Sequence, residues 1–205
     1  MKKQIAFFID TSRCSGCKTC QVACKDKNNL DIGVLWRRVY EISRGSWTKL
    51  NGVWKNNIKA YNVSLSCNHC EKPVCVEVCP TGAMKKNKNG IVTIDAKKCI
   101  GCNYCAWACP YGAPQYDEAK GVMTKCDFCE DYLADGKNPS CVDSCPMRVI
   151  DFGDLEELKQ KYGGAAQLYP LPEAHHTQPA ILIKPHKDAV ESGDSLAQIL
   201  NDEEV

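Results

Sequence analysis

Residues 14–24, CSGCKTCQVAC, and residues 99–109, CIGCNYCAWAC, space their thiols identically as C-x2-C-x2-C-x3-C. Two further quartets complete the set. Cys67, Cys70, Cys75 and Cys79 read C-x2-C-x4-C-x3-C, and Cys126, Cys129, Cys141 and Cys145 read C-x2-C-x11-C-x3-C. Together they use all 16 cysteines of the 205-residue chain. Pro80, Pro110 and Pro146 follow the last thiol of three quartets, and Lys25 stands in that place after the first. The two identical frames belong to an internal repeat. The pairs Ile9/Ile94, Asp10/Asp95, Arg13/Lys98, Gly16/Gly101 and Ala23/Ala108 match at the same offset as the cysteines. Each copy follows an apolar, strand-like stretch, Ile5 to Ile9 and Ile91 to Ile94.

This spacing is that of bacterial ferredoxins, in which three thiolates bind one [4Fe–4S] cube and the fourth reaches another. A loop of three cysteines wraps one face of a cube and leaves its amides free to bond the sulfides, with Gly16 and Gly101 permitting close approach. The x3 step predicts one helical turn that carries the fourth thiol away toward a neighbouring cube. Structural zinc would use the same ligand type, and the fourth quartet alone could pass for a zinc site. Triples at i, i+3, i+6 fit zinc's two-plus-two habit poorly. A disulfide framework suits short secreted chains, not metal-ligand frames in a chain of this length.

A duplicated ancestor would pair the first quartet with the second and the third with the fourth. Loop length argues otherwise. Only 19 residues separate Cys79 from Cys99, against 42 between Cys24 and Cys67. The compact interval pairs the second quartet with the third and leaves the first to close with the fourth. The predicted fold is α+β: two bacterial-ferredoxin-like modules, one nested in the other, with a β-rich insertion and an extended C-terminal tail. The outer module takes residues 1–30 and 120–150, the insertion 31–66, the inner module 67–119, and the tail 151–205.

Composition narrows the function. Lys+Arg 26 against Asp+Glu 25 gives a net charge of +1, with no pull toward nucleic acid or anionic membrane. The hydrophobic share of 44% includes the cysteines, so core formers are thin and cysteine chemistry must help hold the chain. No stretch approaches the roughly 20 apolar residues of a membrane span. MKKQIAFFID lacks the apolar run of a secretory signal, so export would depend on another protein. No nucleophile–base pair, phosphate loop or nucleotide fingerprint is present, which predicts a non-catalytic chain.

In the insertion, VLWRRVYEI and the alternation from Ile58 to Leu65 predict a strand pair or longer hairpin. Trp36, Trp47 and Trp54 are expected to cap a small core rather than face a partner. After Cys145, DLEELKQKYGG predicts a short helix ending at a glycine pair. Leu168 to Pro185 reads as extended, with the last ten residues frayed. His69, between Cys67 and Cys70, is expected to be no ligand because its quartet is complete in sulfur. His175, His176 and His186 read as surface residues, and Lys85, Lys86 and Lys88 as a solvated turn.

The segments SRCSGCKTCQVACKD, SCNHCEKPVCVEVCPTGAM, CIGCNYCAWACPYGAPQY and KCDFCEDYLADGKNPSCVDSCP follow one another in this order. With NGVW at Asn51 to Trp54, DFG at Asp151 to Gly153 and PLP at Pro170 to Pro172, the chain resembles the iron–sulfur (beta) electron-transfer subunits of complex molybdopterin oxidoreductases, above all the anaerobic dimethyl sulfoxide reductase type. The resemblance spans nearly the whole chain. It implies that Cys14, Cys17, Cys20 and Cys145 hold one cube and Cys24, Cys126, Cys129 and Cys141 its neighbour. Cys67, Cys70, Cys75 and Cys109 would hold a third, and Cys79, Cys99, Cys102 and Cys105 the last. Related nitrate reductase subunits carry Trp where this chain has Cys102 and bind [3Fe–4S] there, so all four cubes are expected to be [4Fe–4S]. The implied role is anaerobic respiration, with electrons passing between a quinol-oxidising membrane subunit and a molybdopterin catalytic subunit. The complex would be exported with the catalytic subunit to the periplasmic face, the cytoplasmic face being the alternative. The tail would wrap a partner. Alternatives are related polysulfide, tetrathionate, selenate, arsenate or formate enzymes, or a free polyferredoxin.

Overall fold

The computed structural model describes residues 3–190 and 197–205. Among these the strands are β1 (Ile5–Asp10), β2 (Arg37–Arg44), β3 (Trp47–Leu50), β4 (Val53–Asn56), β5 (Lys59–Ser66), β6 (Met84–Lys86), β7 (Val92–Ile94), β8 (Gln115–Asp117), β9 (Val122–Thr124), β10 (Ile150–Asp154), β11 (Ile181–Lys184) and β12 (Gln198–Ile199). The α-helices are α1 (Thr19–Lys27), α2 (Val74–Glu77), α3 (Tyr104–Ala108), α4 (Glu130–Ala134), α5 (Ser140–Asp143) and α6 (Leu155–Tyr162). Helix and strand are mixed along the chain, as an α+β fold requires.

Two three-stranded sheets organise the molecule. In the first, β1 lies between β10, antiparallel to it, and β11, parallel to it. In the second, β2 lies between β12 and β5. The expected hairpin is thus β2–β5, in register from Arg37↔Ser66 to Arg44↔Lys59, with the β3–β4 ribbon at its tip. β1 is buried almost throughout because it is covered on both faces: Phe7 and Ile9 join the main core, and Ala6 and Phe8 pack with Leu155, Leu158 and Leu182. Helix α6 starts at Asp154, whose side chain accepts from Glu156 N (3.0 Å), and ends at Gly163 with φ 63°. A polar cap and a left-handed stop account for both ends.

Three expectations are corrected. The tail is part of this chain's own core: Ala180, Ile181, Leu182 and Ile183 are buried, because β1 leaves an edge that a parallel strand can complete. The final residues are not frayed. Gln198↔Ser43 and Ile199↔Ile42 pair with β2, and Asn201 Oδ1 accepts from Glu41 N while its Nδ2 donates to Val39 O (2.8 and 2.9 Å). Residue 196 of that segment lies outside the described residues, as do Met1 and Lys2 of the start read for an export signal. Trp47 and Trp54 do not cap a core. They are 57% and 61% exposed on the ribbon, and Trp36 alone of the three packs against the core, with Nε1 donating to Thr124 Oγ1 (3.2 Å).

Candidate metal centres

Every quartet opens on the same backbone device. The second residue after the first cysteine is left-handed in all four: Gly16 (φ 70°), His69 (φ 43°), Gly101 (φ 67°) and Phe128 (φ 66°). Two are glycines, for which this conformation is free. The other two are rings held against each other, His69 edge-on to Phe128 at 5.2 Å and Phe128 stacked on Phe7 at 4.1 Å. Core packing offsets about 1–2 kcal/mol of backbone cost at each. The sequence reading had singled out only the glycines. The equivalent frame position was the available signal for His69 and Phe128.

The third thiol of each quartet sits on a helix: Cys20 on α1, Cys75 on α2, Cys105 on α3 and Cys141 on α5. In the first quartet the fourth, Cys24, follows about one turn later on the same helix, displaced along the axis by ~6 Å, and in the others it lies just past the helix end. All sixteen cysteines are free thiols. Cys14, Cys17, Cys20 and Cys145 line one small cavity. Cys79, Cys99, Cys102 and Cys105 line another. Between them, Cys24 has the Cys141 and Cys129 thiols as neighbours, and Cys126 has those of Cys24 and Cys141. Cys75 likewise faces Cys67, Cys109 and Cys70.

The groups form a row. Cys20 of the first feels Cys141 of the second, and Cys126 of the second feels Cys67 of the third. Cys75 of the third and Cys105 of the last share a small core with Met84, Val92 and Met123. The row reaches the surface at both ends: Cys17 is exposed at one, and Cys79, Cys99 and Cys102 are half-buried at the other.

Burial dominates the thiol electrostatics. It pushes Cys24 and Cys70 up to about 12 and Cys105 up to about 11, with like-charged thiolates adding to each. Cys75 and Cys126 are pushed up for the same two reasons. At the exposed end the Thr19 hydroxyl, donating to Cys17 Sγ at 3.3 Å, holds that thiol below its ordinary value. Clustered buried thiols that resist ionisation are made for a cation, which supplies the charge their anions need.

Fixed donors support the same fit. Arg37 is buried among the first two groups. Lys125 Nζ, also buried, donates to Cys126 O (2.8 Å), and Lys86 Nζ donates to Cys70 O (2.7 Å), so this lysine of the expected solvated turn instead ties down the second quartet. Val92 N donates to His69 Nδ1 (2.9 Å), leaving the imidazole proton on Nε2. Burial drives the His69 pKa well below its ordinary value, and the Lys125 charge adds to this. Among the described residues, His69 Nε2, Asn68 Nδ2 and Arg37 Nε are buried without a partner. Orphaned N–H donors beside grouped thiols suit acceptor sulfides. His175 and His176 are exposed, and half-buried His186 stacks on Tyr61 at 5.5 Å.

Comparison with known proteins agrees with this donor set. The model of a 4Fe–4S dicluster domain family matches residues 58–155. The B subunit of the anaerobic dimethyl sulfoxide reductase of Escherichia coli is 54% identical over 205 residues, covering 100% of both proteins. The corresponding subunit of Haemophilus influenzae is 50% identical over 204 residues, 99% of this chain and 100% of that one. A thiosulfate reductase electron transfer subunit of Salmonella typhi is 39% identical over 176 residues, 85% of this chain and 88% of its own. With full-length identity of this order and an iron–sulfur domain match over its last three quartets, the chain belongs to the family of non-catalytic iron–sulfur electron-transfer subunits that includes the anaerobic dimethyl sulfoxide reductase B subunits.

Proposed function

We propose that the chain carries four [4Fe–4S] clusters and relays electrons between a quinol-oxidising membrane subunit and a molybdopterin catalytic subunit of a dimethyl sulfoxide reductase-like enzyme. The ligand sets are Cys14, Cys17, Cys20 and Cys145; Cys24, Cys126, Cys129 and Cys141; Cys67, Cys70, Cys75 and Cys109; and Cys79, Cys99, Cys102 and Cys105. The observation that carries this reading is the row of thiol groups, wholly buried at the second group, with exposed Cys17 at one end and three half-buried thiols at the other. When bound, such clusters supply one-electron redox chemistry at potentials set by charge, hydrogen bonding and exposure. The chain's own part is to hold the inner groups away from water and to present the outer ones to partners.

The first and last quartets form an outer module, within 1–30 and 120–150, and the middle two an inner module, within 67–119. The 31–66 insertion and the 151–205 tail brace the outer one, through the β2–β5 hairpin and through β10 and β11 against β1. Around the last thiol group Ile100, Tyr104 and Trp107 are 66%, 51% and 76% exposed, an apolar rim suited to the membrane subunit. No helix among the described residues is long and apolar enough to cross a membrane, so attachment falls to that partner. The complex sits on the periplasmic face, exported folded with the catalytic subunit.

Anaerobic purification of the native complex tests this reading. About 16 iron and 16 sulfide per chain are expected, together with a molybdopterin partner and protease sensitivity in intact spheroplasts. Zinc in place of iron, or a partnerless active monomer, overturns the relay. Protection in spheroplasts overturns the sidedness alone.

A further inference from the structure

Arg37 is the largest of the fully buried side chains, at 1% exposure. Nη1 donates to Ser64 Oγ (3.0 Å), Nη2 donates to Ser66 Oγ (2.9 Å), and the guanidinium lies 4.6 Å over the Phe7 ring. Nε has no partner among the described residues. Among the described residues no carboxylate pairs with Arg37, although a buried cation without a counter-charge is costly. Its ionisable neighbours are instead Cys141, Cys20, Cys126 and Cys24, thiols of the first and second groups. Ser64, having accepted from Arg37, has its own proton free for Cys20 Sγ at 3.2 Å. Arg37 thus connects to the first group through a hydroxyl and to both groups through space.

The other half of the molecule is served differently. Arg38, the next residue on β2, donates to Tyr111 O (2.7 Å) and Gly112 O (3.0 Å), beside Cys109 of the third group. Lys125 is a charged neighbour of Cys75 in that same group.

Resting on the ligation proposed above, we propose that Arg37 is a positioning residue whose fixed charge raises the reduction potentials of the first and second clusters together, with Ser64 extending its influence to the first. A thiolate-ligated cluster gains one negative charge for each electron it accepts, so a permanent cation nearby favours the reduced state. An ammonium at this position keeps the charge but loses the two-point fork to Ser64 and Ser66.

The test is a potentiometric titration of the native complex, with dithionite as reductant, followed by electron paramagnetic resonance. Arg37→Met, Arg37→Lys and Ser64→Ala are compared with the parent, and Cys17→Ser marks the signal of the first cluster. In Arg37→Met, with iron content unchanged, two midpoints including the marked one should move to lower potential while the other two stay. Arg37→Lys should restore most of the shift, and Ser64→Ala should lower the marked midpoint alone. Should Arg37→Met fail to assemble, Ser64→Ala and Arg37→Lys decide. Four unmoved midpoints in assembled variants, or equal shifts in all four, overturn the role of Arg37. A parent complex with fewer than four clusters overturns the ligation itself, whatever the variants do.

Discussion

Segments 14–24 and 99–109 have the same thiol spacing and the same local backbone. Gly16 and Gly101 are left-handed with φ 70° and 67°, and Lys18 and Asn103 follow with φ 58° and 63°. Their surroundings differ. The first copy lies against β2 and β5, with Asn62 packed on Gly16 and Ser64 on Cys20, and Arg37 beside it. The second is covered by the short β8–β9 hairpin, through Gly121 and Tyr116, and by Cys75, Met84 and Val92 of α2, β6 and β7, and it presents Ile100, Tyr104 and Trp107 where the first has Ser15, Thr19 and Val22. The same frame is thus braced by two long strands in one place and by shorter elements in the other. The loop determines that thiols converge, and the distant strands determine what the convergence is exposed to.

The cysteines offer the widest contrast. Cys24→Ser, at a buried position in the second group, should cost most of the soluble complex, because an ungripped site leaves buried thiols without their cation. Cys102→Ser, near the surface, should leave a three-iron centre, with iron falling from about 16 to about 15 per chain and quinol-linked turnover lost while an artificial donor still reduces the catalytic subunit. Iron analysis and paramagnetic resonance check both. A normal spectrum with full turnover in Cys102→Ser would remove it from the ligand set.

The glycines come next. A Cβ at Gly101 would lie 2.8 Å from the Gly121 carbonyl oxygen, whereas one at Gly16 would meet only the Asn62 side-chain amide, which can swing aside. Both alanine variants carry about 1–2 kcal/mol of left-handed strain. Gly101→Ala adds about 1–3 kcal/mol of overlap, so it should be the less stable of the two in denaturant titration. Equal losses would mean that the hairpin yields as readily as a side chain.

The approach to each copy gives a smaller, pH-dependent difference. Burial opposes ionisation of Asp10, but Ser12 and the Lys184 ammonium outweigh it and hold the carboxyl below its ordinary value. A carboxylate with a depressed folded pKa contributes stability above the unfolded value, and that contribution fades as pH falls through the folded one. Asp10→Asn should therefore cost about 1–3 kcal/mol at neutral pH and progressively less below about pH 4. Asp95, the half-buried counterpart bonded to Lys97 N at 3.1 Å, should cost less when changed to Asn. Parallel denaturant titrations across pH would expose a flat Asp10→Asn difference, which would rule out the ionised state as the source.

Smallest in stability are Trp107→Ser and Val22→Ser, both within about 0.5 kcal/mol of the parent because both side chains are exposed. They should separate on retention in the membrane complex, which Trp107→Ser weakens and Val22→Ser leaves alone. Equal retention would remove the apolar rim as a docking feature.

The thiol frames, the repeat, the β2–β5 hairpin and helix α6 were all legible in the sequence, because each depends on residues near one another along the chain. Quartet spacing, an Asp cap, a glycine stop and alternation in VLWRRVYEI are local signals. Loop lengths also suggest a second quartet paired with the third, a pairing that belongs to the proposed ligation. What escaped the sequence depends on contacts between distant segments. The tail read as a partner-wrapping extension, yet β11 completes the sheet beside β1, since a parallel strand leaves no turn signal to announce its mate. Trp47 and Trp54 read as core caps because an apolar side chain does not reveal which face of a ribbon it occupies. Arg37 and Ser64 carried no motif at all. They lie 27 residues apart, and only the β2–β5 register brings the guanidinium, the hydroxyl and Cys20 together, where burial makes their charge count.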